Sequence, residues 1–189
     1  MTDGDDGHLD AYLDAVLVGG REERTVEIVD YRHDWPVRFE SERRRLTDAL
    51  GTTAVRIEHV GSTAVPGLAA KPILDILVSV EDPEDESAFS TALQEAGYEL
   101  RVREPGHRMF RTPERDVHVH VWRSGGVEEQ RQLAFRDRLR ASAGARARYE
   151  DTKRSLAGRY RDVNYYAEAK SAVIEDILRE RDENAPGDA

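Results

Sequence analysis

The run Ile73-Leu74-Asp75-Ile76-Leu77-Val78-Ser79-Val80 constrains the fold of this chain more than any other stretch. It is apolar at both alternating sets of positions, the pattern of a strand covered on both faces and therefore central in a sheet. One carboxylate, Asp75, interrupts it. A charge there is costly unless a partner or a metal compensates it. Ion or ligand binding therefore competes at Asp75 with the plainer reading of a carboxylate bonded to backbone.

The surrounding pattern reads as α/β, a mixed sheet with a helical C-terminal half. Val26-Glu27-Ile28-Val29 is expected to form an edge strand. Pro36 suits the first turn of a helix that carries Phe39, Leu46 and Leu50 and ends at Gly51. Residues 55–60 form a second strand. Asp82-Pro83 opens a helix running to about Gly97. Residues 98–102, 109–111 and 117–122 supply further strands, and three helices follow near 129–142, 145–161 and 166–181. Residues 1–24 read as a peripheral extension in which His8 to Val18 can form a short helix stopped by Gly19-Gly20, residues 25–181 as one domain, and residues 182–189 as a flexible tail.

Bulk properties narrow the function classes. The 189 residues suit a single core. No cysteine is present, which excludes disulfides, thiolate metal sites and cysteine nucleophiles. No apolar run approaches the roughly 20 residues of a membrane span, and the acidic N-terminus lacks the order of a signal peptide. A cytoplasmic protein with no membrane partner is expected. The formal net charge is −10, which argues against general nucleic-acid binding. Lys71, Lys153 and Lys170 are the only lysines; every other basic residue is Arg. This acidic, lysine-poor composition is halophile-like. It predicts an unfolding midpoint that rises from low to molar KCl, as screening relieves self-repulsion. A flat or falling midpoint would assign the lysine scarcity to codon usage.

Several constellations can carry chemistry. Gly61-Ser62 follows a strand, where a glycine lets backbone approach a phosphate and Ser62 offers a hydroxyl and an N–H. With Asp75 on the next strand to hold a divalent cation such as Mg²⁺, this is the plan of nucleotidyl transfer. The alternative is an ordinary Gly-Ser turn. Asp116, His118 and His120 are spaced to share one strand face. If it faces Asp75, imidazole and carboxylate can bind one metal, for which Zn²⁺, Mn²⁺ or Fe²⁺ suits better than Mg²⁺. Either histidine can instead transfer protons, or the pair can make ordinary hydrogen bonds. Glu58 and His59 fall on opposite faces, so one is expected to point at the site. Arg103, His107, Arg108 and Arg111 form a basic cluster suited to an anion, unless acids such as Glu104 and Glu114 neutralise it. Lys153 and Lys170 fall on the apolar stripes of their helices, four after Tyr149 and Tyr166, and Lys71 lies in the loop before Asp75. They are expected to reach the Asp75 cleft, or alternatively to send their heads to solvent or to Asp162.

Longer motifs carry a resemblance. Residues 30–36 (DYRHDWP), 57–78 (IEHVGSTAVPGLAAKPILDILV), 106–111 (GHRMFR), 118–121 (HVHV) and 166–171 (YAEAKS) closely resemble the GrpB family, in order, over about residues 26–180. The resemblance implies a nucleotidyltransferase-type fold and a module that also occurs fused to dephospho-CoA kinase. It departs from ordinary nucleotidyltransferases at Leu77, where those enzymes place a second acidic residue, and no third carboxylate is evident beyond Asp116. The expected function is binding of a nucleotide or phosphorylated ligand. Asp75, His118 and His120 would be the catalytic and metal residues, with Gly61, Ser62, Lys71, Arg111 and Lys170 around the ligand. The group transferred, if one is, would be phosphoryl or nucleotidyl. The rival is a non-catalytic interaction module with a degenerate site.

Overall fold

The apolar run becomes β2 (Leu74–Val80) and takes the central place its pattern requires, between β1 (Arg56–Val60) and β5 (Val117–Arg123). The structure, a computed structural model, describes residues 3–22, 26–157, 166 and 169–180. Among them five strands form one mixed sheet in the order β1-β2-β5-β4-β3, with β3 at Glu99–Glu104 and β4 at His107–Arg111. β2 and β5 run parallel and every other pair is antiparallel.

The sheet divides the molecule. On one face Leu74, Ile76, Val78 and Val80 join Val117, Val119, Val121 and Phe110. They pack under α2 (Trp35–Leu50) and α3 (Ser90–Glu95) through Trp35, Leu46, Leu50 and Leu93. Fully burying each such aliphatic side chain contributes roughly 1.5–3 kcal/mol, so β2 is held firmly along its length. The other face carries Asp75, Leu77, His118 and His120. Beside it lie α4 (Val127–Ala141), α5 (Ala143–Leu156) and α6 (Ser171–Arg179), joined through Val65, Leu68, Leu139, Ala145, Tyr149 and Ile177. The α/β class and the helical C-terminal half are therefore as the pattern indicated.

Local details differ. The expected strand at residues 26–29 is a single bridge, Val29 to Ala70, with both backbone bonds at 2.9 Å. The next pair in that register would be Glu27 with Pro72, which has no N–H, and on the other side Leu68 N–H already donates to Val65. The helix expected from Asp82 starts only at Ser90. Asp82 instead closes a turn by accepting from Glu84 N–H at 3.2 Å, and Glu84 and Glu86 are drawn to Arg108. The segment before residue 25, read as peripheral, contributes α1 (Asp3–Val16), whose Leu13 and Val16 are buried. Leu17 bridges Val102 of β3, and Val18 N–H donates to Arg101 at 2.9 Å. The third C-terminal helix begins at Ser171 and α5 stops at Leu156; residues 158–161, Asp162 and the 182–189 tail lie outside the described residues. No described helix is long and apolar enough to cross a membrane.

Candidate functional site

Asp75 is the second residue of β2. Antiparallel pairing sets it opposite Val60, the last residue of β1, and parallel pairing sets it beside His118. His120 lies beside Leu77 in the same register. Residues two apart share a face, so Val60, Asp75, Leu77, His118 and His120 all point away from the α2–α3 core. Directly after β1 the chain turns at Gly61 (φ 68°, ψ −169°) into a short 3-10 turn, Ser62–Ala64. A Cβ at position 61 would sit 2.5 Å from Asp75 Oδ2. Only glycine lets this loop pass so close to the carboxylate. The Ser62 hydroxyl faces the buried Tyr149 phenol of α5 and opposes the upward push of burial on it.

His118 Nδ1 and His120 Nε2 each lie 3.6 Å from Asp75 Oδ1. Among the described residues, this trio alone brings three potential metal ligands within 4.8 Å of one another. Burial works to raise the Asp75 carboxyl, but the two imidazoles facing it outweigh burial and hold it well below the usual carboxylate range. Burial pushes His118 down, against the pull of Asp75. The expected fourth member, Asp116, is not there. It precedes β5, outside the pleat, and its carboxylate accepts from Arg38 at 2.6 Å and Thr112 at 2.8 Å.

All three lysines reach the same cleft, a cavity of about 510 Å³ that Asp75, His118, His120, Gly61 and Ser62 also line. Lys170 Nζ sits 4.6 Å from the Tyr166 ring centre, and Lys71 Nζ 5.4 Å from it on a second approach. Lys153 is almost fully buried; its ammonium donates to the Ala69 carbonyl and lies over Tyr149. Burial and the nearby Lys170 charge lower Lys153 to about 7. Burial lowers Lys170 to about 8, with Asp75 opposing it. Both residues line the cleft, and Asp162, the partner the alternative reading named, lies outside the described residues.

The basic cluster does not assemble as an anion pocket. Arg103 pairs with Glu86, Arg108 with Glu84 and Glu86, and His107 with Glu104. Arg111 donates from both guanidinium ends to Glu22 at 3.0 and 2.9 Å, and lines a smaller pocket beside Lys71 and His118. Of the Glu58–His59 pair, neither lines the cleft. Glu58 shares the Asp75 face but accepts from Arg136 at 2.8 Å. His59 is buried on the opposite face, stacked on Phe39, and burial lowers it to about 4. Sequence reasoning missed Tyr12, Leu13, Val16 and Leu17, which line the cleft from the N-terminal segment, and Phe135 of α4. It also missed the cleft roles of Tyr149 and Tyr166, although their four-residue spacing from the lysines was a usable signal.

With this geometry in place, comparison with known proteins gives concordant likenesses. The family model described as GrpB protein matches residues 25–180. A UPF0157 protein of Streptomyces coelicolor is 52% identical over 159 residues, covering 84% of this chain and 85% of that one. The crystal structure of conserved protein GrpB from Enterococcus faecalis superposes with a TM-score of 0.72 at 34% identity, covering 81% of this chain and 95% of that one. A dephospho-CoA kinase of Mycolicibacterium paratuberculosis is 30% identical over 184 residues, covering 82% of this chain but 45% of the kinase.

Proposed function

The chain belongs to the GrpB family, and on that premise we propose that its cleft binds a nucleotide or nucleotide-derived phosphorylated ligand together with a divalent metal ion. One observation carries this reading. A chain with net charge −10 and three lysines brings all three into the cavity that also holds its Asp75–His118–His120 trio. Lysine ammonium groups are compact point charges suited to phosphate oxygens.

Each residue has a part in this reading. Gly61 lets the loop backbone lie against the ligand's phosphates, and Ser62 offers a hydroxyl beside them. Lys170 and Lys71 face the anion from the helical side and the loop side. Lys153, donating to the Ala69 carbonyl, fixes the floor of the cleft and lends it positive charge. Asp75, His118 and His120 fit a divalent ion, because one ionised oxygen and two ring nitrogens converge within ligand reach of one another. Such an ion would neutralise and polarise a phosphoryl oxygen, the chemistry that phosphoryl or nucleotidyl transfer requires. Arg111, engaged by Glu22, is left out of the ligand site.

A second reading rests on Leu77, fully buried where nucleotidyltransferases place their second acid. A two-metal carboxylate clamp is thereby absent from β2, which favours a ligand-binding module without turnover. Both readings require ligand binding, and a transfer assay with bound ligand separates them.

Thermal shift and calorimetry against nucleoside triphosphates, CoA precursors and divalent metals test the proposal, since a specific ligand raises the melting point by mass action. Lys170→Arg is the discriminating variant. It keeps the charge and the cation–π contact with Tyr166 but replaces a point charge by a broad plane. Binding of the best nucleotide should weaken about ten-fold, or about 1.4 kcal/mol, with the fold intact. Wild-type affinity in this variant would reduce Lys170 to a packing role.

A further inference from the structure

The Asp75 trio does not end at its own three residues. His107 Nδ1 lies 2.6 Å from Glu104 Oε1, and His107 Nε2 lies 3.1 Å from His120 Nδ1. Tyr12 of α1 donates its hydroxyl to the other Glu104 oxygen. His107 stacks on Trp122 at 4.0 Å and 9°, while His120 lies edge to edge with it, nearly coplanar at 8° with centroids 5.3 Å apart. The strand register produces this stack, because His107 pairs with Trp122 across β4 and β5 and faces the cleft side with His120.

Placing the protons decides what His120 offers. An ionised carboxylate only accepts, so His107 donates to Glu104 from Nδ1. A neutral ring has one N–H, which leaves His107 Nε2 as an acceptor. His120 therefore carries its proton on Nδ1 and donates it to His107. The bare lone pair of His120 then sits on Nε2, 3.6 Å from a carboxylate oxygen that is also an acceptor. Two acceptors facing each other repel unless a proton, which is how His120 holds Asp75 in the metal-free cleft, or a metal cation lies between them. The separation is long for a hydrogen bond. It is close to the about 3.4 Å expected for two donors each about 2.1 Å from one ion at a tetrahedral angle. His118 Nδ1 stands at the same 3.6 Å from the same oxygen.

We propose that Glu104 and His107 are positioning residues that hold His120 in its Nε2-donor tautomer, making Asp75, His118 and His120 a site for a transition metal of the Zn²⁺, Fe²⁺ or Mn²⁺ class rather than for Mg²⁺. The inference rests on the metal half of the function proposed above. Two imidazoles and one carboxylate suit those ions, whereas Mg²⁺ prefers oxygen ligands and water. A carboxylate behind a ligating imidazole, here relayed through a second ring, both orients the ring and raises its basicity. Tyr12 brings the N-terminal helix into this outer shell.

Cobalt(II) titration of the full, chelator-stripped chain without a polyhistidine tag tests the assignment, with no nucleotide present. One Co²⁺ should bind per chain with a d–d absorption band, be displaced by Zn²⁺ and persist against a large excess of Mg²⁺. His118→Ala and His120→Ala should each abolish the band. His107→Phe keeps the ring stack but removes the acceptor, and should weaken Co²⁺ binding 10- to 100-fold while the metal-free melting point holds. If that variant folds poorly, Glu104→Leu is measured instead and should show a loss of the same order. Absence of a Co²⁺ band in the wild type, or displacement by equimolar Mg²⁺, overturns the metal assignment. Wild-type Co²⁺ affinity in the folded relay variant overturns the role of Glu104 and His107. Because no nucleotide is used, failure here is distinct from failure of phosphorylated-ligand binding at the lysines.

Discussion

Gly61→Ala is expected to damage both the fold and the cleft, and the metal-dependent binding more than the fold. Two costs add. The first is backbone strain, since φ 68° with ψ −169° is a region that essentially only glycine occupies. That costs about 1–3 kcal/mol. The second is collision. The new methyl would meet Asp75 Oδ2 at 2.5 Å, Cβ at 3.0 Å and Cγ at 3.1 Å. Neither side can yield easily, because Asp75 is anchored in the most buried strand of the sheet and Gly61 follows directly on β1. The carboxylate must rotate, and its spacing from His118 and His120 goes with it. A melting point several degrees lower is expected, at about 2–4 °C per kcal/mol for a chain of this size. Metal-dependent ligand binding should be lost outright.

Gly67→Ala supplies the control. Gly67 also has positive φ, at 78°, but a methyl there meets nothing within 4 Å. It should share the backbone strain and keep ligand binding. Equal binding in the two variants would show that contact with Asp75 is not what reserves position 61 for glycine.

What the sequence made legible follows from how local each signal is. Asp75 stood out because a charge breaks a seven-residue apolar strand, and His118 with His120 because period two fixes their common face. That the face looks toward Asp75 depended on the parallel β2–β5 pairing, which no local pattern states. Lys153 and Lys170 were found because helical spacing placed them on apolar stripes. Arg111 and Asp116 were misplaced because their partners are remote in sequence. Glu22 lies 89 residues from Arg111, and Arg38 lies 78 residues from Asp116. His107 was grouped with the arginines beside it, since its role depends on a register across β4 and β5. The strand expected at residues 26–29 failed for a reason visible only once its partner was known, the missing N–H of Pro72. Long-range partner identity, more than element type, is what the chain hides.

Asp75→Asn should leave the domain folded and reduce metal-dependent ligand binding by at least about 100-fold, or about 2.7 kcal/mol. The substitution preserves shape and removes one negative charge. In the free protein that charge is partly desolvated and held by neighbouring imidazoles, so removing it relieves a desolvation cost while giving up a Coulombic gain. Those terms oppose each other, and the melting point of the metal-free protein should shift little. The loss falls on binding, because an amide oxygen is a far weaker ligand than a carboxylate and no longer balances the cation. Lys170 supplies an internal check. Asp75 holds the Lys170 value up against burial, so in Asp75→Asn it should fall further below about 8. Chemical labelling of the Lys170 amine at neutral pH, read by mass spectrometry, should accelerate as more of it becomes neutral. If Asp75 serves structure instead, the variant will melt well below the wild type, while calorimetry finds normal nucleotide affinity per folded molecule with and without Mn²⁺.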